Sequence, residues 1–233
     1  TQYLYPEFLL AKSLFERDGL EVFIVDPAEL QAREDGLYVD EQKIDLIYNR
    51  LTDFSLQHFP HLLAAYEHHH ALFTPNPAHY QRYADKRRLI SLSDASYLHA
   101  SGIAENHITA LLRGIPPTQL VCAEVGETWW AERKQWFFKP VNGYGSKGAY
   151  RGDKLTRRVF EEILQADYVA QRLAMPGEIV MRQIDVEVKL KYDVRCYVYD
   201  GHIQLIAARL YQVQTTNFRT TGGGFAQLYI AAE

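Results

Sequence analysis

The chain has 233 residues, 47% hydrophobic and 23% charged, with a formal net charge of −4. Those values suit a folded chain with a substantial core, and they provide no basic footprint for nucleic acid. No apolar run approaches the ~20 residues of a membrane span, and two widely separated cysteines, Cys122 and Cys196, read as reduced thiols in a cytoplasmic protein rather than as a disulfide framework. The sixteen tyrosines and eleven phenylalanines are spread along the chain and read mainly as core.

The first third alternates helix and strand signals. Glu7 to Arg17 has helical spacing, with Phe8, Leu9, Ala11, Leu14 and Phe15 on one side and Gly19 as the stop. Glu21 to Asp26 reads as a strand ending at Pro27, Gly36 to Asp40 as a shorter one and Asp45 to Arg50 as another. A helix follows from about Leu56 to His69, and Leu72 to Pro77 closes the lobe with an edge strand. This alternation predicts an α/β lobe with a largely parallel sheet over residues 1–77. His68-His69-His70 is read as a helix-end cluster, because consecutive helical side chains cannot converge on one ion.

Residues 78–135 read as a helical connection, with Tyr80 to Leu92 as its clearest helix. The most informative stretch then begins at Trp136. An apolar run, Trp136-Phe137-Phe138, delivers Lys139 into Pro140, and a loop with Gly143, Gly145 and Gly148 follows. A buried strand that stops there leaves the ammonium of Lys139 at the strand end, while the glycines let backbone N–H groups turn toward an anion. Tyr144, Ser146 and Lys147 complete the loop, with Ser146 and Lys147 adding donors. A hairpin turn with a solvated lysine is the competing reading. The P-loop pattern fails, because Lys147 precedes the final glycine. Gly143 to Gly148 does fit the G-x-G-x-x-G of a nicotinamide-dependent oxidoreductase, but Ala149 to Asp153 reads as a strand and turn where that motif needs a helix.

A helix at about Thr156 to Leu164 and a short buried strand, Tyr168 to Gln171, come next. Gln171-Arg172-Leu173-Ala174-Met175-Pro176-Gly177-Glu178 is a strand running into an extended link. Val188 to Tyr199 and Ile203 to Tyr211 flank Asp200-Gly201, a hairpin signal. Asp193 and Arg195 share one strand face, and Arg209 joins it if the register allows; an exposed salt-bridge ladder is the plainer alternative. Thr215 to Thr221, including Asn217, is a hydroxyl- and amide-rich run before Gly222-Gly223-Gly224, suited to cradling an oxyanion.

In this order, these segments resemble the ATP-grasp superfamily of carboxylate–amine ligases, of the glutathione synthetase and protein-tail glutamate ligase kind. The resemblance implies an α/β fold of α+β lobes: a preceding lobe over 1–77, a helical connection over 78–135, a lid subdomain over 136–170 and a C-terminal, mostly antiparallel sheet lobe over 171–233. It implies that Lys139 and Gly143, Tyr144, Gly145, Ser146, Lys147 and Gly148 form the phosphate-gripping lid, and that Lys86 is the earlier ATP lysine. Gln171, Arg172 and Leu173 would meet adenine and Glu178 the ribose. Arg195, Arg209 and Asn217 would hold the γ-phosphate and acyl phosphate. ATP and Mg²⁺ are the implied cofactors. Small-molecule or peptide carboxylates and amines are the implied substrates, and a homodimer the implied assembly. The family's Glu-x-Asn metal pair is not found, so either the sequence is a piece of a longer chain or the metal is held differently, with Asp193 and Asn217 as substitute ligands. A non-catalytic ATP-binding module is the alternative in which the lid survives without the metal acids.

Overall fold

The structure, a computed structural model, describes residues 2, 4–183, 186–212 and 222–229. It is an α+β protein of short helices and mainly antiparallel sheets that divides into two compact units, one up to Asp85 and one from Lys86 onward.

In the first unit, α1 (Tyr5–Arg17) ends at Gly19, whose φ of 86° only glycine adopts without strain. The expected strand at Glu21 to Asp26 is not formed. Extended backbone becomes a strand only with a ladder partner, and here the Val22 carbonyl accepts from the Lys12 ammonium instead. Asp26 then caps a 3₁₀ turn (Pro27–Glu29) through a reciprocal capping box with Glu29. The largely parallel sheet also needs correction. Strands β1 (Gln31–Arg33), β2 (Gly36–Val39) and β3 (Gln42–Lys43) form an antiparallel meander, and only β4 (Leu46–Tyr48) and β5 (Leu72–Thr74) pair in parallel. Connections of a few residues can join β1, β2 and β3 only as hairpins, whereas α2 (Pro60–Glu67) supplies the crossover that β4 and β5 require. Leu37, Leu56, Leu62, Ala65, Ala71 and Phe73 make this unit's core.

The helix expected over Tyr80 to Leu92 is two helices, α3 (Pro77–Tyr83) and α4 (Arg88–Leu92). The break lies at Lys86, whose backbone N–H leaves the helical ladder to donate to the Val141 carbonyl at 3.0 Å. Helices α5 (Ala95–Ala100) and α6 (Glu105–Gly114) lead to β6 (Thr118–Leu120), a strand absent from the sequence reading, and then to α7 (Gly126–Glu132).

Next, β7 (Trp136–Pro140), β8 (Tyr150–Arg151), α8 (Arg157–Leu164) and β9 (Tyr168–Arg172) complete a four-stranded antiparallel sheet of order β6-β9-β7-β8. Along β7 the faces alternate as a strand demands. Trp136 and Phe138 are buried with Trp129, Leu155, Phe160, Ile163 and Ala170 under α7 and α8, which leaves Phe137 and Lys139 on the opposite face. Thr156 caps α8 by accepting from the Val159 N–H.

The second sheet, β10-β11-β12-β13, is antiparallel throughout: β10 (Gly177–Gln183), β11 (Val186–Tyr199), β12 (His202–Tyr211) and β13 (Gly224–Gln227). The hairpin of β11 and β12 turns at Asp200 and Gly201 with φ of 48° and 73°, both positive as a tight two-residue turn needs. No helix among the described residues is long and apolar enough to cross a membrane.

Candidate nucleotide site

The cleft of the second unit has a volume of about 410 Å³ and is lined by Lys86, Phe137, Lys139, the loop from Gly143 to Lys147, Gln171 to Ala174, and Tyr211. Its geometry starts from strand pairing. Phe137 lies opposite Gln171 and Lys139 opposite Val169, so Lys139 and Gln171 stand diagonally on one face of neighbouring strands. The Lys139 Nζ donates to Gln171 Oε1 at 2.6 Å. Burial, and then the nearby charge of Lys86, hold the Lys139 ammonium below the ordinary lysine range.

Lys86 arrives from a distant part of the chain. Its backbone is pinned to Val141, just past β7, and its Nζ donates to the Gly143 carbonyl at 3.2 Å. Two cations therefore meet at the root of the glycine loop, a concentration of positive charge that a polyphosphate would offset. The loop itself is a series of left-handed residues, with φ of 132° at Gly143, 60° at Gly145 and Ser146, and 66° at Gly148. The Tyr168 hydroxyl donates to the Gly148 carbonyl at 3.0 Å and fixes the loop's far end. A Cβ on Gly148 would meet that hydroxyl at 2.9 Å, so a side chain there would have to displace Tyr168 as well as adopt a left-handed backbone. The Lys147 Nζ lies 5.1 Å from the Tyr144 ring centroid. After Gly148 the chain forms β8 and a 3₁₀ turn, Gly152–Lys154, instead of the α-helix that a dinucleotide fingerprint requires.

The expected hinge is divided. Arg172 and Leu173 line the cleft, but their backbone N–H groups donate to Pro117 O (2.8 Å) and Gln135 O (2.9 Å). The Arg172 guanidinium lies 4.3 Å from the Trp136 ring centroid and also bonds Gln135 Oε1. Glu178 is not among the cleft-lining residues. On β10, opposite Lys191, it forms an ion pair with Lys189 at 2.7 Å.

On the second sheet, the register places Lys191 opposite Tyr211, Asp193 opposite Arg209 and Arg195 opposite Ala207. Asp193, Arg195 and Arg209 therefore share the face to which Tyr211 belongs. Asp193 and Arg209 form a bidentate pair, with Nε to Oδ1 at 2.6 Å and Nη2 to Oδ2 at 2.9 Å, and the carboxylate raises the Arg209 pKa. Arg195 is exposed, 5.6 Å from the Tyr197 ring centroid. Asn217 and the run from Thr215 to Thr221 lie outside the described residues.

Among the described residues no three His, Cys, Asp or Glu side chains cluster as a metal site; of the two expected ligands, Asp193 is paired with Arg209 and Asn217 lies outside the described residues. The sequence reading misses Thr118, which is buried and bonded to Gln171 Nε2 at 3.0 Å. A lone threonine after Pro116-Pro117 carries no periodic signal that could have singled it out.

The sequence matches no known family model and no curated protein. Among solved structures it is similar to the ATP-grasp ligase PsnB complexed with a minimal precursor, at 13% identity and a TM-score of 0.45, over 87% of this chain and 71% of that one. The same ligase with a phosphomimetic variant of that precursor, Mg and ADP gives 16% identity and a TM-score of 0.43, over 86% of this chain and 69% of that one. At such distance no residue's role is transferred, and the roles of this chain's residues rest on the cleft itself.

Proposed function

We propose that the cleft binds ATP and that the protein is an ATP-grasp-type ligase joining a carboxylate to an amine. The observation that carries this reading is the meeting of Lys86 and Lys139 at the root of a left-handed glycine loop. In this reaction the γ-phosphoryl group passes to the substrate carboxylate, and the amine displaces phosphate from the resulting acyl phosphate, leaving ADP and phosphate.

The chain's own groups have separable roles. Lys86 and Lys139 offset phosphate charge in a partly dry site, where such contacts are stronger than in water. The loop from Gly143 to Gly148 covers the phosphates and keeps water from the acyl phosphate. Arg195 and Arg209 stand on the Tyr211 face and supply planar, bidentate donors for the acyl phosphate, with Asp193 setting the orientation of Arg209. The carboxylate donor is a small molecule or a peptide, and the protein acts in the cytoplasm, alone or as a homodimer.

The test is ADP release from ATP and magnesium during a screen of amino acids, polyamines and short peptides, beside Lys139→Ala. ADP that appears only with a particular carboxylate and amine together supports ligation. ATP binding with no ADP from any pair favours the non-catalytic module.

A further inference from the structure

The face of the first sheet that carries Lys139 also carries a row of hydrogen bonds across three strands. Thr118 on β6 lies opposite Gln171 on β9, which lies opposite Phe137 on β7, two residues before Lys139. Both ends of the Gln171 amide are occupied, Oε1 by Lys139 at 2.6 Å and Nε2 by Thr118 Oγ1 at 3.0 Å. Gln171 is 9% exposed and Thr118 4%, so water cannot readily replace either partner.

The positions of the hydrogens give this row a direction. A hydroxyl has one hydrogen, and that of Thr118 goes to the Pro116 carbonyl at 2.9 Å. Toward Gln171 the hydroxyl can then only accept, which turns the amide's NH₂ to Thr118 and its oxygen to Lys139. The flipped amide would set N–H against ammonium at one end and waste the acceptor at the other. The Thr118 backbone is fixed in turn, its N–H donating to Ser93 Oγ at 3.1 Å while that hydroxyl donates to Ile90 O at 3.2 Å. Pro116, having no N–H, contributes only the carbonyl.

We infer that Gln171 is a positioning residue for Lys139, locked in one amide orientation by Thr118 and Ser93, and not the group that meets the nucleotide base. The inference rests on the nucleotide reading of the cleft. A neutral amide suits this role, because it orients the ammonium with one bond and leaves the full charge, with two further N–H groups, for an anion. A glutamate would orient it as well but cancel that charge.

ADP and adenosine binding by titration calorimetry, on the full chain, tests this. Thr118→Val keeps the shape and removes the hydroxyl; it is expected to weaken ADP about five- to tenfold, the scale of one hydrogen bond, and adenosine less than about twofold. Thr118→Ser is expected to restore the affinity. In a Lys139→Met background the Thr118→Val effect should vanish, because nothing is left to position. An ADP affinity unchanged in Thr118→Val, or a loss that persists in Lys139→Met, overturns the inference. A second measurement is independent of nucleotide. The Gln171 side-chain amide protons should exchange slowly with solvent by NMR in the wild type and at least about tenfold faster in Thr118→Val. Slow exchange with no ADP binding removes the nucleotide reading and leaves the tether. Fast exchange in the wild type removes the tether.

Discussion

Replacing Lys139 by methionine separates the charge of the cleft from its packing. Methionine keeps most of the unbranched stem beside Phe137 and deletes the ammonium that donates to Gln171 at 2.6 Å. A hydrogen bond to a charged group contributes about 1.5–3 kcal/mol, which becomes roughly 10- to 150-fold in ATP affinity. The upper part of that range is favoured because the ammonium is partly buried, where water screens it less. Adenosine has no phosphate, so its affinity should move less than about twofold. Folding stability at neutral pH should shift by no more than about 1 kcal/mol, because removing a desolvated cation near Lys86 is offset by leaving the buried Gln171 Oε1 without its donor. Titration calorimetry with both ligands, and thermal melts of the free protein, read all three quantities. Equal ATP affinity in wild type and Lys139→Met would refute the phosphate role of this lysine, and a matching loss for adenosine would show that the cleft had collapsed.

The depressed Lys139 titration also sets a pH dependence. Its folded pKa lies below the ordinary lysine value of 10.5, so between the two values the unfolded chain binds more protons and stability rises with pH. Wild type should therefore gain stability relative to Lys139→Met as pH climbs toward 10.5, while its ATP affinity falls in the same window as the amine loses its charge; parallel stability profiles would contradict this. Gly148→Ala is expected to cost about 1–2 kcal/mol for its left-handed backbone alone, and the contact with the Tyr168 hydroxyl adds to that. Removing that hydroxyl in Gly148→Ala/Tyr168→Phe should recover part of the melting temperature, and no recovery would mean that the clash is not the cause. Asp193→Asn should lower stability by about 1 kcal/mol or less, because the pair with Arg209 is partly exposed, and should slow ADP release while leaving ATP affinity within about twofold. A large loss of ATP affinity would place Arg209 on the nucleotide instead of on the transferred group.

Local signals are legible where neighbours in sequence decide the structure. The alternation of Trp136, Phe137, Phe138 and Lys139 fixes which side chains are buried under α8 and which reach the cleft, and Asp200-Gly201 fixes a turn. Sequence reasoning fails where a partner far along the chain decides. Nothing near Lys86 shows that its N–H will leave the helix for Val141, yet that bond breaks the expected helix and carries the second lysine to the loop. The resemblance assigns Glu178 to a ribose; on β10, paired with β11, its half-exposed carboxylate bonds Lys189, a partner that the spacing from Gln171 does not show. Gln171 itself is recognisable as a polar residue ending a buried strand. That both ends of its amide are occupied depends on β6, whose three residues are too few to show a period.

The measurement that bears most directly on the site is the affinity series adenosine, AMP, ADP and ATP on the intact chain. Two lysines at the root of a glycine loop predict affinity that rises with each added phosphate and falls with salt for the phosphorylated members only. A series that stays flat from adenosine to ATP would contradict a phosphate site in this cleft, and the ligase reading would fall with it.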